Sequence, residues 1–413
     1  MLILLTPVYN SFANNIDIQS KLAQDLRNEG FRNIQISNEG ADLIVGLENN
    51  VYRFEADALT RAIKIIYKFA GTHKNIVLIA KKLQLPIITI KISVEKLNSF
   101  SSGAISEKEF SNSIQIDFSS SDEWKKLRQE KIFNKNTFDL DFVIEPKIGF
   151  QLGNYDYPLR YQFRLLPSIE TSLWKGQKII GQFSIPVFDR HYVDQYKYFR
   201  PNIISIEQNF RIRKGLYTKL TAGWFTEKRY GFDAELVQYL FDGRLLLRGN
   251  FGYTGYILYL KKGAKGLSER VYSKPTIEID SPDYFQFFGN IEYRIEKYDL
   301  AINISYGKYL YENDAFLLNI YRNFNEYTLG FQAHFSETGH NFGFRIFVPL
   351  WPEKYFKNKN IRIRPSKYIN YSYLATRDYI DTYRTSNVIN EVIRELNPLF
   401  VKHFIAKNLL SNK

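Results

Sequence analysis

Five histidines (His73, His191, His334, His340 and His403) are the side chains best suited to metal or proton chemistry, and they are scattered without metal-ligand spacing. Glu235 and Glu292 are carboxylates that could pair for glycoside hydrolysis, in which one protonates the leaving oxygen and the other attacks or activates water. Interior carboxylates on strands pair more readily with arginine than with each other, so no catalytic role is assigned to them. His334 and Ser336 stand two apart and share one face of a strand. A serine–histidine site also needs an orienting acid, and none can be placed beside them. A glycine-rich phosphate loop and a nucleophile elbow are both lacking. The chain therefore reads as a non-enzyme with no catalytic residue, no metal site and no cofactor.

What the sequence does offer is a polar set at a spacing of two. Lys147, Arg164, Lys219, Arg248, Glu292, Arg294, Gln332, His334 and Arg345 each fall on the polar side of an alternating segment. The other side carries Tyr161, Phe163 and Leu165, then Ile204, Ile206 and Phe210, then Leu247 and Phe251, then Phe285, Phe287 and Ile291. Side chains on a strand alternate between faces, so each segment has one greasy and one wet face. With lipid outside, the polar set lines a lumen; a Lys or Arg turned toward mid-membrane would cost about 2–4 kcal/mol. The nine residues are the candidates for contact with a hydrophilic polymer. A soluble sheet with one solvated face, or charges paired only to seal the barrel, would give the same alternation.

The elements that must position them are long strands. Twelve alternating segments lie between Leu140 and Leu350, most of 9–13 residues. That length suits a strand tilted across a bilayer, whereas a typical soluble strand has about 5–6 residues. Tight turns at Lys175-Gly176, Lys214, Asp242-Gly243, Lys297-Tyr298 and Asn325 are interleaved with other links, of which Asp189–Arg200 and Ile257–Asp283 are the longest. Outer-membrane barrels alternate short periplasmic turns with longer external loops. A further hairpin built from Ile361–Arg364 and Tyr368–Ala375 would raise the count to fourteen. The expected fold is mainly β: an antiparallel outer-membrane β-barrel of about twelve strands with a small N-terminal α/β periplasmic domain. An even strand number leaves both ends of the barrel on the periplasmic side.

Around the barrel, residues 1–13 read as an export signal, with a buried first strand as the alternative: an apolar stretch from Leu2 to Tyr9, then Ser11-Phe12-Ala13, with no preceding Lys or Arg. Residues 14–93 form the α/β domain, with apolar stripes at helical spacing (Ala58, Leu59, Ala62, Ile63, Ile66) between Ile- and Val-rich strands. The serine-rich stretch 94–139 reads as a linker, 140–376 as the barrel and 377–413 as a helical tail.

The chain has 413 residues, a formal charge of +13 and no cysteine, which excludes disulfide frameworks and thiolate metal sites. No run approaches the roughly 18 apolar residues of a membrane helix. Lys and Arg are spread throughout, and an export signal argues against a nucleic-acid partner. A basic lumen would instead attract an acidic polysaccharide. The 30 tyrosines and 33 phenylalanines suit girdles at outer-membrane lipid interfaces; aromatic sugar-stacking surfaces would look the same.

The run Gly46-Leu47-Glu48-Asn49-Asn50-Val51-Tyr52-Arg53 ahead of a helix with Ala58, Leu59 and Ala62 resembles the YjbH/GfcD family of outer-membrane proteins. Phe347-Val348-Pro349-Leu350, Arg364-Pro365 and Thr376-Arg377-Asp378-Tyr379 extend the resemblance toward the C-terminus. It implies a role in exopolysaccharide or capsule export, retention or modification at the outer membrane, with periplasmic or lipoprotein partners. The motif residues Glu48, Asn49, Tyr52, Arg53, Arg377 and Asp378 are expected to be structural. Glu48 would pair with Arg53 across the strand–helix turn, and Arg377 and Asp378 would do likewise at the barrel rim. A general porin, or a soluble periplasmic protein that binds or cleaves glycans, would also satisfy the strand pattern.

Overall fold

Ile and Val concentrate in four short runs between Arg32 and Ser93, and each run is a strand buried along nearly its whole length. These are β1 (Arg32–Ser37), β2 (Asp42–Glu48), β3 (Asn75–Lys82) and β4 (Leu85–Ser93). With β5 (Gln115–Asp117) they make a sheet in the order β1-β2-β3-β4-β5, antiparallel throughout except for the parallel pair β2–β3. A helix between β2 and β3, α2 (Glu55–Tyr67), makes that parallel pairing possible. It buries Ala58, Leu59, Ala62, Ile63 and Ile66, the stripe read from the sequence. The preceding helix, α1 (Thr6–Glu29), buries Leu22 and Leu26 and stops at Gly30, whose φ of +113° a side chain would strain. Burial pushes the Asp42 carboxyl up, but the Asn75 amide and the Lys91 ammonium outweigh it and hold it below its ordinary value.

The computed structural model describes residues 6–38, 40–118, 121–152, 155–191, 199–226, 228–260, 276–310, 313–324, 326–337, 339–374, 383–385, 395–396 and 398–410. Residues 1–5 of the expected export segment lie outside them, and 6–13 open α1.

The stretch 94–139 is folded rather than a linker as far as Thr137. It forms α3 (Val94–Ser101), α4 (Glu107–Ser113), β5 and α5 (Ser121–Leu127), and it buries Phe110, Ile114, Ile116, Phe118 and Leu127. Serine composition misled the reading because serine also caps helices, as Ser106 within the stretch and Ser93 just ahead of it do. Ser93 Oγ accepts from Lys96 N at 3.4 Å and Ser106 Oγ from Glu109 N at 3.2 Å, satisfying amides that a helix start leaves without partners. The C-terminal helix, α6 (Pro398–Leu409), packs into the same unit: Phe400 and Phe404 meet the edge of Phe54 at 5.7 and 5.2 Å. The unit comprises residues 1–137, 213–215 and 388–413, so the expected tail is divided: 388–413 belongs with the α/β domain and 377–387 with the strand unit. The first part of the expected tail helix, 386–394, lies outside the described residues.

The second unit is built of long strands. The first six are β6 (Leu140–Leu152), β7 (Leu159–Thr171), β8 (Gln177–Arg190), β9 (Arg200–Arg213), β10 (Leu216–Phe225) and β11 (Arg229–Leu240). Next come β12 (Leu245–Leu260), a short β13 (Thr276–Ile279), β14 (Tyr284–Ile295), β15 (Leu300–Lys308), β16 (Asp314–Phe324), β17 (Tyr327–Ser336) and β18 (Gly339–Pro349). Leaving β13 aside, these are the twelve segments read from the alternation. Each pairs antiparallel with the next, and β12 pairs directly with β14. β13 lies off this path and pairs with the far end of β12.

The expected further hairpin is absent. β19 (Phe356–Asn358) and β20 (Ile361–Pro365) pair together at one end of the sheet, and β21 (Tyr368–Leu374) stands at the other. β20 runs parallel to β6, with Ile361 opposite Leu140 and Ile363 opposite Phe142, while β21 runs antiparallel to β18. Only Ser366-Lys367 separates β20 from β21, so one stretch of chain, 361–374, joins the two ends of the twelve-strand meander. An odd number of passes with a single parallel pair is the geometric result. Among the described residues no ladder joins β21 to β6. Their seam is met by Phe150 stacking on Tyr371 at 4.4 Å, and just before β21 Ser366 N donates to Ile144 O at 3.0 Å.

Candidate functional site

The two faces of this sheet are inverted relative to a water-soluble one. On β11 the apolar Leu236 is 47 % exposed, while Asp233, three residues earlier on the opposite face, is 2 % exposed. Ile148, Ile204, Phe251, Phe287, Ile304, Leu329 and Phe342 repeat the exposed apolar pattern on other strands. The enclosed face holds Arg164, Glu207, Lys219, Arg229, Glu235 and Arg294, each 7 % exposed or less. Enclosed charges require partners or water, because desolvating an isolated ion costs several kcal/mol.

Most of the expected polymer-contact residues are placed on that enclosed face among intramolecular partners. Arg164 Nη1 donates to Ser184 Oγ at 3.3 Å. Lys219 Nζ lies 4.0 Å from Asp233 Oδ1 and donates to Thr385 Oγ1 at 2.9 Å. Arg248 Nε stands 3.7 Å from Glu235 Oε2. Asn303 Nδ2 donates to Glu292 Oε2 at 3.1 Å, and Arg294 Nε donates to Asp299 Oδ1 at 2.8 Å. Gln332 Nε2 donates to Ser372 Oγ at 2.7 Å, tying β17 to β21 across β18. Arg345 lies over the Phe347 ring at 5.5 Å. His334 is half-buried, in register with Leu317 and Asn341, and Ser336 Oγ donates to Gly339 O at 3.3 Å. Lys147 stands directly opposite Arg164, two like charges in one cross-strand pair.

Glu235 and Glu292 sit on β11 and β14 with β12 between them. They are offset by four register positions, which puts their backbones roughly 16 Å apart from strand spacing and rise. Glycosidase carboxylates are about 5–9.5 Å apart.

Three features escaped the sequence reading. Asp141, Arg362, Arg364, Glu170 and Lys178 form an ion cluster where β20 meets β6. In it Arg362 Nε reaches Asp141 Oδ1 at 2.8 Å, Arg364 Nε reaches Asp141 Oδ2 at 3.0 Å, and Lys178 Nζ reaches Glu170 Oε2 at 3.1 Å. The alternation Ile361-Arg362-Ile363-Arg364 was its available signal. Arg229, 1 % exposed, lies between the Tyr256 and Tyr284 rings at 4.9 and 4.2 Å. Tyr383 docks on the enclosed face, donating to Asp233 Oδ2 at 2.9 Å. Nothing in the local sequence marked it.

The motif residues near Glu48 are placed in the α/β unit as structural parts. Asn49 Oδ1 accepts from Val51 N at 3.1 Å and Tyr52 N at 2.9 Å, while its amide donates to Tyr52 O, which locks the turn from β2 into α2. Tyr52 is buried, donates to Glu29 and has Arg61 over its ring at 5.0 Å. Arg53 is also buried. The carboxylate of Glu48, expected to pair with Arg53, instead accepts from Asn33 Nδ2 at 2.7 Å and from the amides of Leu83 and Gln84 at 3.1 and 3.2 Å. Arg377 and Asp378 lie outside the described residues.

Among solved structures, the chain is similar to OmpT, an outer membrane protein of Vibrio cholerae, in a loop L8 deletion mutant. That match has 11% identity and a TM-score of 0.27, covering 50% of this chain and 86% of that one. A mutant Rh. blastica porin aligns at 10% identity with a TM-score of 0.27, covering 52% of this chain and 91% of its own. Both likenesses are too distant to bear on function. A search of curated proteins returns no match. The YjbH family model, described as exopolysaccharide biosynthesis protein YbjH, matches residues 5–343.

Proposed function

Since the chain belongs to the YjbH exopolysaccharide biosynthesis family, we propose that it is an outer-membrane β-barrel in exopolysaccharide or capsule secretion. Its polar lumen guides or binds the polymer, and the α/β unit stands in the periplasm beside periplasmic or lipoprotein partners. One observation carries the reading: long strands turn apolar side chains outward and enclose their charges. Water would favour the opposite arrangement, whereas lipid favours this one. The circular path of the meander, completed by residues 361–374, supports closure, because a bilayer does not tolerate an open strand edge.

Two measurements test it. The protein should fractionate with the outer membrane and run at a different gel mobility before and after boiling, as a detergent-resistant barrel does. Deletion of the gene should then reduce polysaccharide at the cell surface. Release by osmotic shock without detergent would overturn the membrane reading. A heat-modifiable protein whose deletion leaves surface polysaccharide unchanged would point to a general channel.

A further inference from the structure

The chain enters the strand unit at the start of β6 and makes twelve antiparallel passes before residues 361–374 run parallel to β6. An odd number of passes leaves the chain heading for the end opposite its entry. In a bilayer an irregular backbone is tolerated only where it lies against protein or a water-filled cavity, because lipid leaves its amides and carbonyls without partners. Among the described residues beyond β21, one irregular segment lies on the enclosed face of the strands.

Tyr383, Arg384 and Thr385 are found there. The Tyr383 ring stacks on Phe225 at 5.0 Å and packs with Leu310, and its hydroxyl donates to Asp233 Oδ2 at 2.9 Å. It is 6 % exposed. Thr226 and Arg384 exchange two bonds: Arg384 N donates to Thr226 Oγ1 at 2.7 Å, and Thr226 N donates to Arg384 O at 3.2 Å. Lys219 Nζ donates to Thr385 Oγ1 at 2.9 Å. The seat is shaped for this occupant. Gly252 faces Asp233 in register, and a Cβ at Gly252 would overlap the Tyr383 hydroxyl. A glycine in mid-strand weakens the strand and often marks a site where another group approaches closely.

We propose that the barrel is plugged by its own chain, with Tyr383–Thr385 as a resident occupant of the lumen and Tyr383 as its anchor. The plug rests on the barrel reading. It makes transport conditional, because polymer passes only when the anchor leaves its seat, and a sugar ring competing for Phe225 and Asp233 would use the contacts Tyr383 now makes.

The test uses the full-length protein, whose lack of cysteine makes crosslinking clean. T226C/R384C should form a disulfide on mild oxidation in outer-membrane vesicles. In planar bilayers the unaltered protein should be silent, whereas Y383A should conduct. G252I, which expels the ring without altering it, should conduct as well. Each variant is first checked for the gel shift on boiling. A heat-modifiable wild type that conducts as freely as Y383A and G252I overturns the plug alone, as does a T226C/R384C pair that stays reduced. A wild type with no heat shift overturns the barrel and the plug together.

Discussion

Glu48 is 1 % exposed, and its two oxygens take three donors: the Asn33 amide and the backbone amides of Leu83 and Gln84. Those two backbone residues form the turn between β3 and β4, both with positive φ, +50° and +62°. A non-glycine residue in that region costs about 1–2 kcal/mol. Two in succession match the two-residue hairpin turn normally built from Asn-Gly. The carboxylate offsets the cost by holding both amides, and charge-assisted bonds of this kind contribute about 1.5–3 kcal/mol. Replacing Glu48 with Ala should therefore destabilise the α/β unit by about 2–3 kcal/mol, read by urea titration of the helix signal in detergent. Q84G, which relieves the backbone strain, should restore part of the loss. An unchanged midpoint for E48A would show that the turn holds itself. The structural role of Glu48 was legible in the sequence, but its partner was not. Arg53 is five residues away and of opposite charge, while the real partners are backbone amides 35 and 36 residues on, which side-chain chemistry cannot announce.

At the scale of elements, period two made the twelve meander strands readable, because a one-residue slip would turn every greasy side chain to the wrong face. Nothing comparable fixes the partner of Ile361–Pro365. Its pairing with β6 is parallel, and parallel neighbours are set by where distant ends of the chain meet rather than by a turn. The five-residue ladder is short, so its side chains must supply specificity. Asp141 does this by accepting from both Arg362 and Arg364, each about as enclosed as itself. Removing one partner of a buried ion pair strands the other, at about 3–5 kcal/mol. D141N should thus open this seam first: the folded band on a gel should convert to the unfolded one at a lower temperature, while T171V, on the neighbouring strand, should not move it. If D141N melts with the unaltered protein, the arginines find other acceptors and the cluster does not latch the ends. The stretch 94–137 shows a related failure of reading, since serines that look like linker composition are also the best helix caps.

For the whole molecule, the +13 charge has meaning only where it is left uncompensated. Much of the enclosed charge is balanced: Asp141 by two arginines, Asp299 by Arg294, Glu235 by Arg248. Lys147 differs. It faces Arg164 in register, and Arg384 and Arg345 add their positive field, opposed by Glu145. Like charges directly opposite across strands destabilise a sheet, by up to about 1 kcal/mol a pair. On the proposed function, an acidic polymer passing between them would offset that repulsion, so the arrangement would trade stability for attraction to a polyanion. The substitution K147E separates the two effects because it drives them in opposite directions. It converts a repulsive pair into an attractive one, so the folded band should survive to a higher temperature. It also reverses a charge in the path, so surface polysaccharide should fall. A merely structural lysine would yield the first change without the second, and surface polymer unaltered in a more heat-resistant K147E protein would remove the positive lumen from the export mechanism.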